Sequence, residues 1–192
     1  MSLLQIMPDH DPDRVLLRTQ ERTEITAALA PLGVTFDRWT LRSNDGGADT
    51  DVLAAYRDEV DLLRVNGGFR LVDVVRMAPD DEDPQWPATA RAAREKFLDE
   101  HTHTEDEVRF FAQGAGCFYL HAGGKVYAMV CEAGDLLSVP ANTRHWFDMG
   151  ERPNFTAIRF FQEEDGWVGA FVADSIARRF PGLDQLRGAT VA

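Results

Sequence analysis

Four residues of this chain have the types and spacing to bind a transition metal. His101, His103 and Glu107 stand in H-T-H-T-E-D-E, and His145 follows inside V-P-A-N-T-R-H-W-F-D-M-G. Three imidazoles and one carboxylate suit a divalent ion such as Fe(II), Ni(II), Mn(II) or Co(II). A closed structural zinc site is usually tetrahedral and rich in cysteine, and this set is neither. Four protein donors around an ion that prefers six leave two positions for water, substrate or dioxygen. The imidazoles bind as neutral rings and the glutamate as carboxylate, so occupancy should fall in acid.

These donors need a frame that brings them together. His101, His103, Glu107 and Arg109 share odd parity, so one continuous strand would aim them at one face. Glu105 has the same parity and is not excluded by it. His145 and Phe147 share a face on a later strand, and a barrel interior is where two such faces meet.

From His101 onward the apolar period is two. Segments 107–111, 115–120, 125–131, 135–139, 145–149 and 155–161 read as short strands, separated by Gly114, Gly123-Gly124, Gly134, Pro140 and Gly150. Many short strands with close turn signals predict an antiparallel sandwich or barrel. Upstream, 19–30 has helical spacing and is stopped by Pro31 and Gly33. Residues 36–39 read as extended, 44–47 as a turn, and 51–65 as an amphipathic helix ended by Gly67-Gly68. Residues 69–77 are β-like, 79–87 form an acidic loop, and 89–98 are helical. A terminal helix is predicted over 170–180, ended by Pro181-Gly182. No repeat or low-complexity tract is visible. The expectation is one domain over 1–192, with a β core at 69–162 and helical decoration at 15–66 and 168–187.

Composition narrows the function classes. The 192 residues carry a formal charge of −12, with 44% hydrophobic and 27% charged residues. Nucleic acid needs clustered Lys and Arg, so this balance argues against it. It also argues against an anionic membrane surface. No apolar stretch approaches the roughly 20 residues of a membrane span, and no secretory signal is visible. Cys117 and Cys131 form no C-x-x-C pair and are expected reduced on strands. These features predict a soluble cytoplasmic protein. The acidic shell and the lack of an obvious apolar patch favour a monomer.

The motifs resemble a known family. H-x-H-x-x-x-E, then six residues and Gly114, looks like the first cupin motif, and Gly134-x-x-x-x-x-Pro140-x-x-x-x-His145 looks like the second. Three positions depart from the general pattern. Glu95 and Asn142 stand where glycines are usual, and Met149 replaces an asparagine. Asn142 can also take a left-handed conformation. The runs F-L-D-E-H-T-H-T-E-D-E-V-R-F-F and G-D-L-L-S-V-P-A-N-T-R-H-W-F-D-M-G, with A-I-R-F-F and G-W later, are similar to bacterial acireductone dioxygenase. The detailed likeness covers roughly 97–181.

The resemblance implies a mainly β fold: a cupin double-stranded β-helix, or jelly-roll, barrel with flanking α-helices at both ends. It implies His101, His103, Glu107 and His145 as ligands of one divalent transition metal, Fe(II) or Ni(II), with Co(II) and Mn(II) as further candidates. It implies a small-molecule substrate, 1,2-dihydroxy-3-keto-5-methylthiopentene, and O2 as partners, in methionine salvage. Fe(II) would give formate and 4-methylthio-2-oxobutanoate; Ni(II) or Co(II) would give formate, carbon monoxide and 3-methylthiopropanoate.

Arg109, two residues past Glu107, is the candidate to stabilise a substrate oxyanion, with a salt bridge as the alternative role. Arg159 is a second catalytic candidate. Phe97, Phe147 and Trp167 match family positions that line the substrate pocket. His10 and His121 read as surface and structural residues. Of Glu100, Glu105 and Asp106, at most one is expected to support a ligand, the others facing solvent. Two competing functions use the same four ligands: a cupin isomerase or decarboxylase, and a small-ligand-binding cupin with a structural metal.

Overall fold

The computed structural model describes residues 1–42, 48–163 and 168–189. Its strands are β1 (Leu3–Pro8), β2 (Leu17–Thr19), β3 (Thr35–Arg38), β4 (Leu71–Met77), β5 (His101–Thr102), β6 (Glu107–Ala122), β7 (Lys125–Glu132), β8 (Asp135–Val139), β9 (Arg144–Asp148), β10 (Phe155–Phe161) and β11 (Ala170–Phe171). The helices are α1 (Arg22–Leu29), α2 (Asp49–Ala55), α3 (Arg57–Gly67), α4 (Trp86–Glu95) and α5 (Leu183–Gly188), with 3-10 turns at Ala30–Leu32 and Ala177–Arg179. Every strand pairing is antiparallel.

The 16-residue strand β6 organises the molecule. Its first half pairs with β8 and β10, and these continue to β3 and β4. Its second half pairs with β7 and β9, in the order β11-β5-β9-β6-β7-β1-β2. Two sheets therefore share one strand. The inner core between them holds Phe111, Phe118, Met129, Leu137, Phe147 and Phe155. Outer faces are also covered: α2 and α3 pack Val52, Tyr56 and Val60 over one sheet, and the C-terminal segment packs Phe180, Leu183 and Leu186 over the other. This is the mainly β cupin architecture that the sequence motifs predict.

The change of sheet within β6 has a local cause. Ala157 pairs with Phe111 while Thr156 pairs with Gln113, so Ala112 is an extra residue in a β-bulge. A bulge reverses which side chains face inward. Phe111 points into the inner core before it, and Phe118 and Leu120 after it. Gly114 follows at φ 69°, and a Cβ there would lie 1.9 Å from the Asn154 carbonyl oxygen. Only glycine fits that combination. The two predicted strands 107–111 and 115–120 are thus one bent strand.

Several other expectations are corrected. Leu3–Pro8 is a fully buried strand, although its sequence shows no alternation; Leu4 and Ile6 enter the inner core, and Leu3 and Met7 the outer one. A strand buried on both faces reads as a plain apolar run. Residues 17–19 are strand, so the predicted helix over 19–30 begins only at Arg22. The predicted terminal helix over 170–180 is absent. Its backbone is used by other partners: the Val172 N–H donates to the Glu100 carbonyl at 3.0 Å, and the Ile176 N–H to the Glu100 carboxylate at 3.1 Å. Segment 168–187 is helical only at Ala177–Arg179 and within α5. The predicted turn at 44–47 lies outside the described residues. The two cysteines are free and buried on β6 and β7, and their side chains enter different core clusters.

Candidate metal centre

The four predicted ligands converge. His101 lies on β5, His103 in the turn after it, Glu107 at the start of β6 and His145 on β9. One ligand atom from each can be chosen so that all lie within 4.8 Å of one another. All four side chains are buried. The parity reading reached the right residues by a wrong route, because the chain from 101 to 107 is not one strand. Cross-strand register brings His101 opposite His145, and a turn carries the chain across to Glu107 on the other sheet. Asn142, at φ 61°, does take the left-handed conformation, and its N–H donates to the His103 carbonyl at 2.7 Å.

The hydrogen bonds of the rings indicate which nitrogens are available. The Nδ1 atoms of His101, His103 and His145 lie 2.8, 3.1 and 2.7 Å from the carbonyl oxygens of Asp99, Val168 and Thr143. A carbonyl only accepts, so each Nδ1 carries the proton and each neutral ring presents its Nε2 lone pair inward. The Nε2 atoms of His103 and His145 lie 3.1 and 2.9 Å from the same Oε2 of Glu107. Lone pairs facing a carboxylate oxygen repel one another unless a cation sits among them. A divalent ion satisfies all of them at once, so the residues fit the metal.

Charge at the site follows the same logic. Burial would raise the Glu107 carboxyl, but the Arg109 charge, together with His103 and His145 whenever these rings take up a second proton at Nε2 in place of an ion, holds it well below the usual range. Burial, then the neighbouring His145, depresses His101 to about 4, so it is a neutral donor at physiological pH. Burial also opposes protonation of His103, but its contacts with Glu107 outweigh this and raise it.

A cavity of about 310 Å³ opens beside the four ligands. Arg109 and Arg159 both line it, as do Phe97 and Phe147. Arg109 is buried, with Nη2 2.9 Å from Glu107 Oε1 and its guanidinium carbon 4.5 Å from the Phe147 ring centre. Arg109 therefore makes the foreseen salt bridge, to Glu107, and also lines the cavity. Arg159 makes a two-pronged bond to Asp73, at 2.8 and 2.6 Å. Trp167 lies outside the described residues.

Sequence reasoning missed Asp73, Leu71, Phe161 and Phe171, which also line the cavity. Asp73 had a signal: an acid inside the apolar run F-R-L-V-D-V-V-R-M. Phe171 was hidden by the helix predicted around it.

The flanking acids are corrected too. None is merely solvated. Glu100 is fully buried and binds His121, Arg144 and the Ile176 N–H. Glu105 is buried and accepts the N–H groups of Gln162 and Glu163, and Asp106 accepts that of Ala141. His121 bridges Glu100 and Asp9, apart from the ligand group, while His10 is exposed.

Comparison with known proteins agrees with this site. The model of the ARD/ARD′ family matches residues 4–169. Acireductone dioxygenase 1 of Nocardia farcinica is 61% identical, covering 98% of this chain and 100% of that protein. The acireductone dioxygenase of Saccharopolyspora erythraea is 59% identical, covering 97% of this chain and 98% of that protein. The structure of an acireductone dioxygenase from Bacillus anthracis, with a cadmium ion in its active centre, superposes with a TM-score of 0.73. It is 25% identical, covering 89% of this chain and 98% of that one.

Proposed function

The chain belongs to the ARD/ARD′ family of acireductone dioxygenases, and we propose that it cleaves 1,2-dihydroxy-3-keto-5-methylthiopentene with O2 in methionine salvage. The observation that carries this reading is the set of three inward Nε2 lone pairs and one carboxylate beside a cavity with a buried arginine. The resident ion is Fe(II) or Ni(II), with Co(II) and Mn(II) as alternatives. With Fe(II) the products would be formate and 4-methylthio-2-oxobutanoate, and with Ni(II) or Co(II) they would be formate, carbon monoxide and 3-methylthiopropanoate.

His101, His103, Glu107 and His145 hold the ion, which when bound supplies Lewis-acid charge and a template for adjacent enediol oxygens. Arg109 is fixed between Glu107 and the Phe147 ring, so its donors are oriented before substrate arrives. Such a donor lowers the cost of forming the substrate anion. Arg159 supplies a second positive charge on the same wall, oriented by Asp73. Phe97 and Phe147 flank the flat enediol portion and exclude water. An electron-rich enediolate can itself reduce dioxygen, so the reaction needs no flavin and no external reductant. The enzyme acts as a cytoplasmic monomer, with residues 1–192 as one domain.

Oxygen-electrode traces with the acireductone, on iron-loaded and nickel-loaded protein, test the proposal. Uptake with product sets that change with the metal is expected. No uptake with either metal removes the dioxygenase reading and leaves the isomerase, decarboxylase or binding alternatives, none of which consumes O2.

A further inference from the structure

The cavity has a two-row floor set by strand register. Across β6, β10 and β4, Arg109 pairs with Arg159 and Arg159 with Asp73. This row is polar. Two residues further along β10, Phe161 pairs with Leu71. Continuing the register past the Phe160–Val108 pair sets Phe161 beside the ligand Glu107. Side chains two apart on a strand share a face, and all six of these residues line the cavity. The second row therefore starts at the metal group and becomes wholly apolar as it runs outward.

Exposure shows where that row ends. Phe161 is 3% exposed and Leu71 is 37% exposed. Across the cavity Phe171, on β11, is 57% exposed, with its ring centre 5.2 Å from that of His101. Two exposed large apolar side chains, Leu71 and Phe171, thus stand at the mouth of one cavity. Apolar surface gathered around a concave site marks where a ligand covers it.

We propose that the Phe161–Leu71 row is the wall for the substrate's apolar tail, and that Leu71, at its outer end, sets the tail length the enzyme prefers. The inference rests on the acireductone reading and adds a specificity-determining residue to it. Oxygens held at the metal group place the planar head beside Arg109 and Arg159, and the tail then follows the adjacent apolar row to the mouth. Each methylene laid on that row loses contact with water. At ~0.8 kcal/mol per buried methylene, that corresponds to roughly fourfold in kcat/KM.

The test uses 1,2-dihydroxy-3-oxo-1-alkenes with tails from methyl to pentyl, and full-length protein loaded with a single metal. Wild type should gain roughly fourfold in kcat/KM per methylene until the tail reaches Leu71. In Leu71→Ala the last steps of that gain should shrink, chiefly through KM, because the lost contact is made equally in ground and transition states. In Leu71→Trp the preference should move to shorter tails. Leu62→Ala, an equally conservative truncation of an exposed leucine on α3, should keep the wild-type profile. Leu71 variants that keep the wild-type length profile overturn the inference while leaving the dioxygenase reading intact. Absence of O2 uptake by wild type with every member of the series removes both.

Discussion

Each imidazole of the site has one nitrogen committed before any ion arrives. The backbone carbonyls of Asp99, Thr143 and Val168 fix ring orientation and tautomer together. His103→Ala should therefore lose metal rather than fold: atomic emission should read about a tenfold or greater drop in bound metal, at least the loss that follows from removing a supporting partner of a ligand. Near-ultraviolet circular dichroism should stay close to wild type. Unchanged metal content would contradict the assignment. The metal-free protein should also be acid-sensitive in a defined window. Residue 101 takes up a proton near pH 6.5 when unfolded but only near pH 4 when folded. Between those values the unfolded chain binds more protons, so this contribution to stability is fully present above pH 6.5 and is lost as pH falls to 4. As pH is lowered across that range, urea midpoints of the apo protein should drop relative to those of His101→Gln, which lacks this contribution. An identical slope in the variant would show that residue 101 carries none of it.

At the scale of elements, the site depends on how β6 and β9 lie against each other. Phe118 pairs with Phe147, and Gly116 lies beneath the Phe147 ring, where a Cβ would fall 2.4 Å from Cζ. Gly116→Ala should push Phe147 away from Arg109. Overpacking of this kind costs about 1–3 kcal/mol, so a lower thermal midpoint with reduced kcat/KM is expected. A variant with wild-type kinetics would separate Phe147 from the chemistry. The ligand set was legible because histidine and glutamate types, motif spacing and family likeness agreed. The strands from 125 to 161 were legible because their apolar period is two. What was hidden depended on long-range partners. The Ala112 bulge leaves no parity mark that distinguishes one bent strand from two. Strand β1 shows no alternation because both faces are covered. Segment 170–180 has helix-forming composition, yet Glu100 takes its N–H groups and Phe171 pairs opposite His101. Asp73 gains its meaning only from Arg159 across the sheet.

At the scale of the whole molecule, one buried carboxylate fastens two of the helices that lie outside the sheets, α4 and α5. Asp148, at the end of β9, accepts both prongs of Arg94 from α4 at 2.7 and 3.1 Å. It also accepts the Gly150 N–H at 2.9 Å and the Leu183 N–H at the start of α5 at 2.9 Å. β9 carries His145, and α4 leads into the segment bearing Phe97 and His101, so the same carboxylate ties the site's supports to the C-terminal cover. Burial alone would raise this carboxyl, but Arg94 and the two backbone donors outweigh it and hold it below its ordinary value of 3.8. A depressed folded-state value means the contribution to stability is present above pH 3.8 and disappears as pH falls through the lower folded-state value. The net charge of −12 works in the other direction on mild acidification, since self-repulsion shrinks as the sequence pI of about 4.8 is approached. The two effects occupy different pH ranges and can be separated. Asp148→Asn removes the charge that Arg94 needs and one acceptor of the N–H pair, and should cost about 2–4 kcal/mol at pH 7. Measured by denaturant unfolding, the gap between variant and wild type should hold from pH 7 to 5 and narrow below 3.8, where the unfolded chain's carboxylate is protonated before the folded one. A gap that is constant down to pH 2.5 would mean that shape, not charge, is what Asp148 contributes.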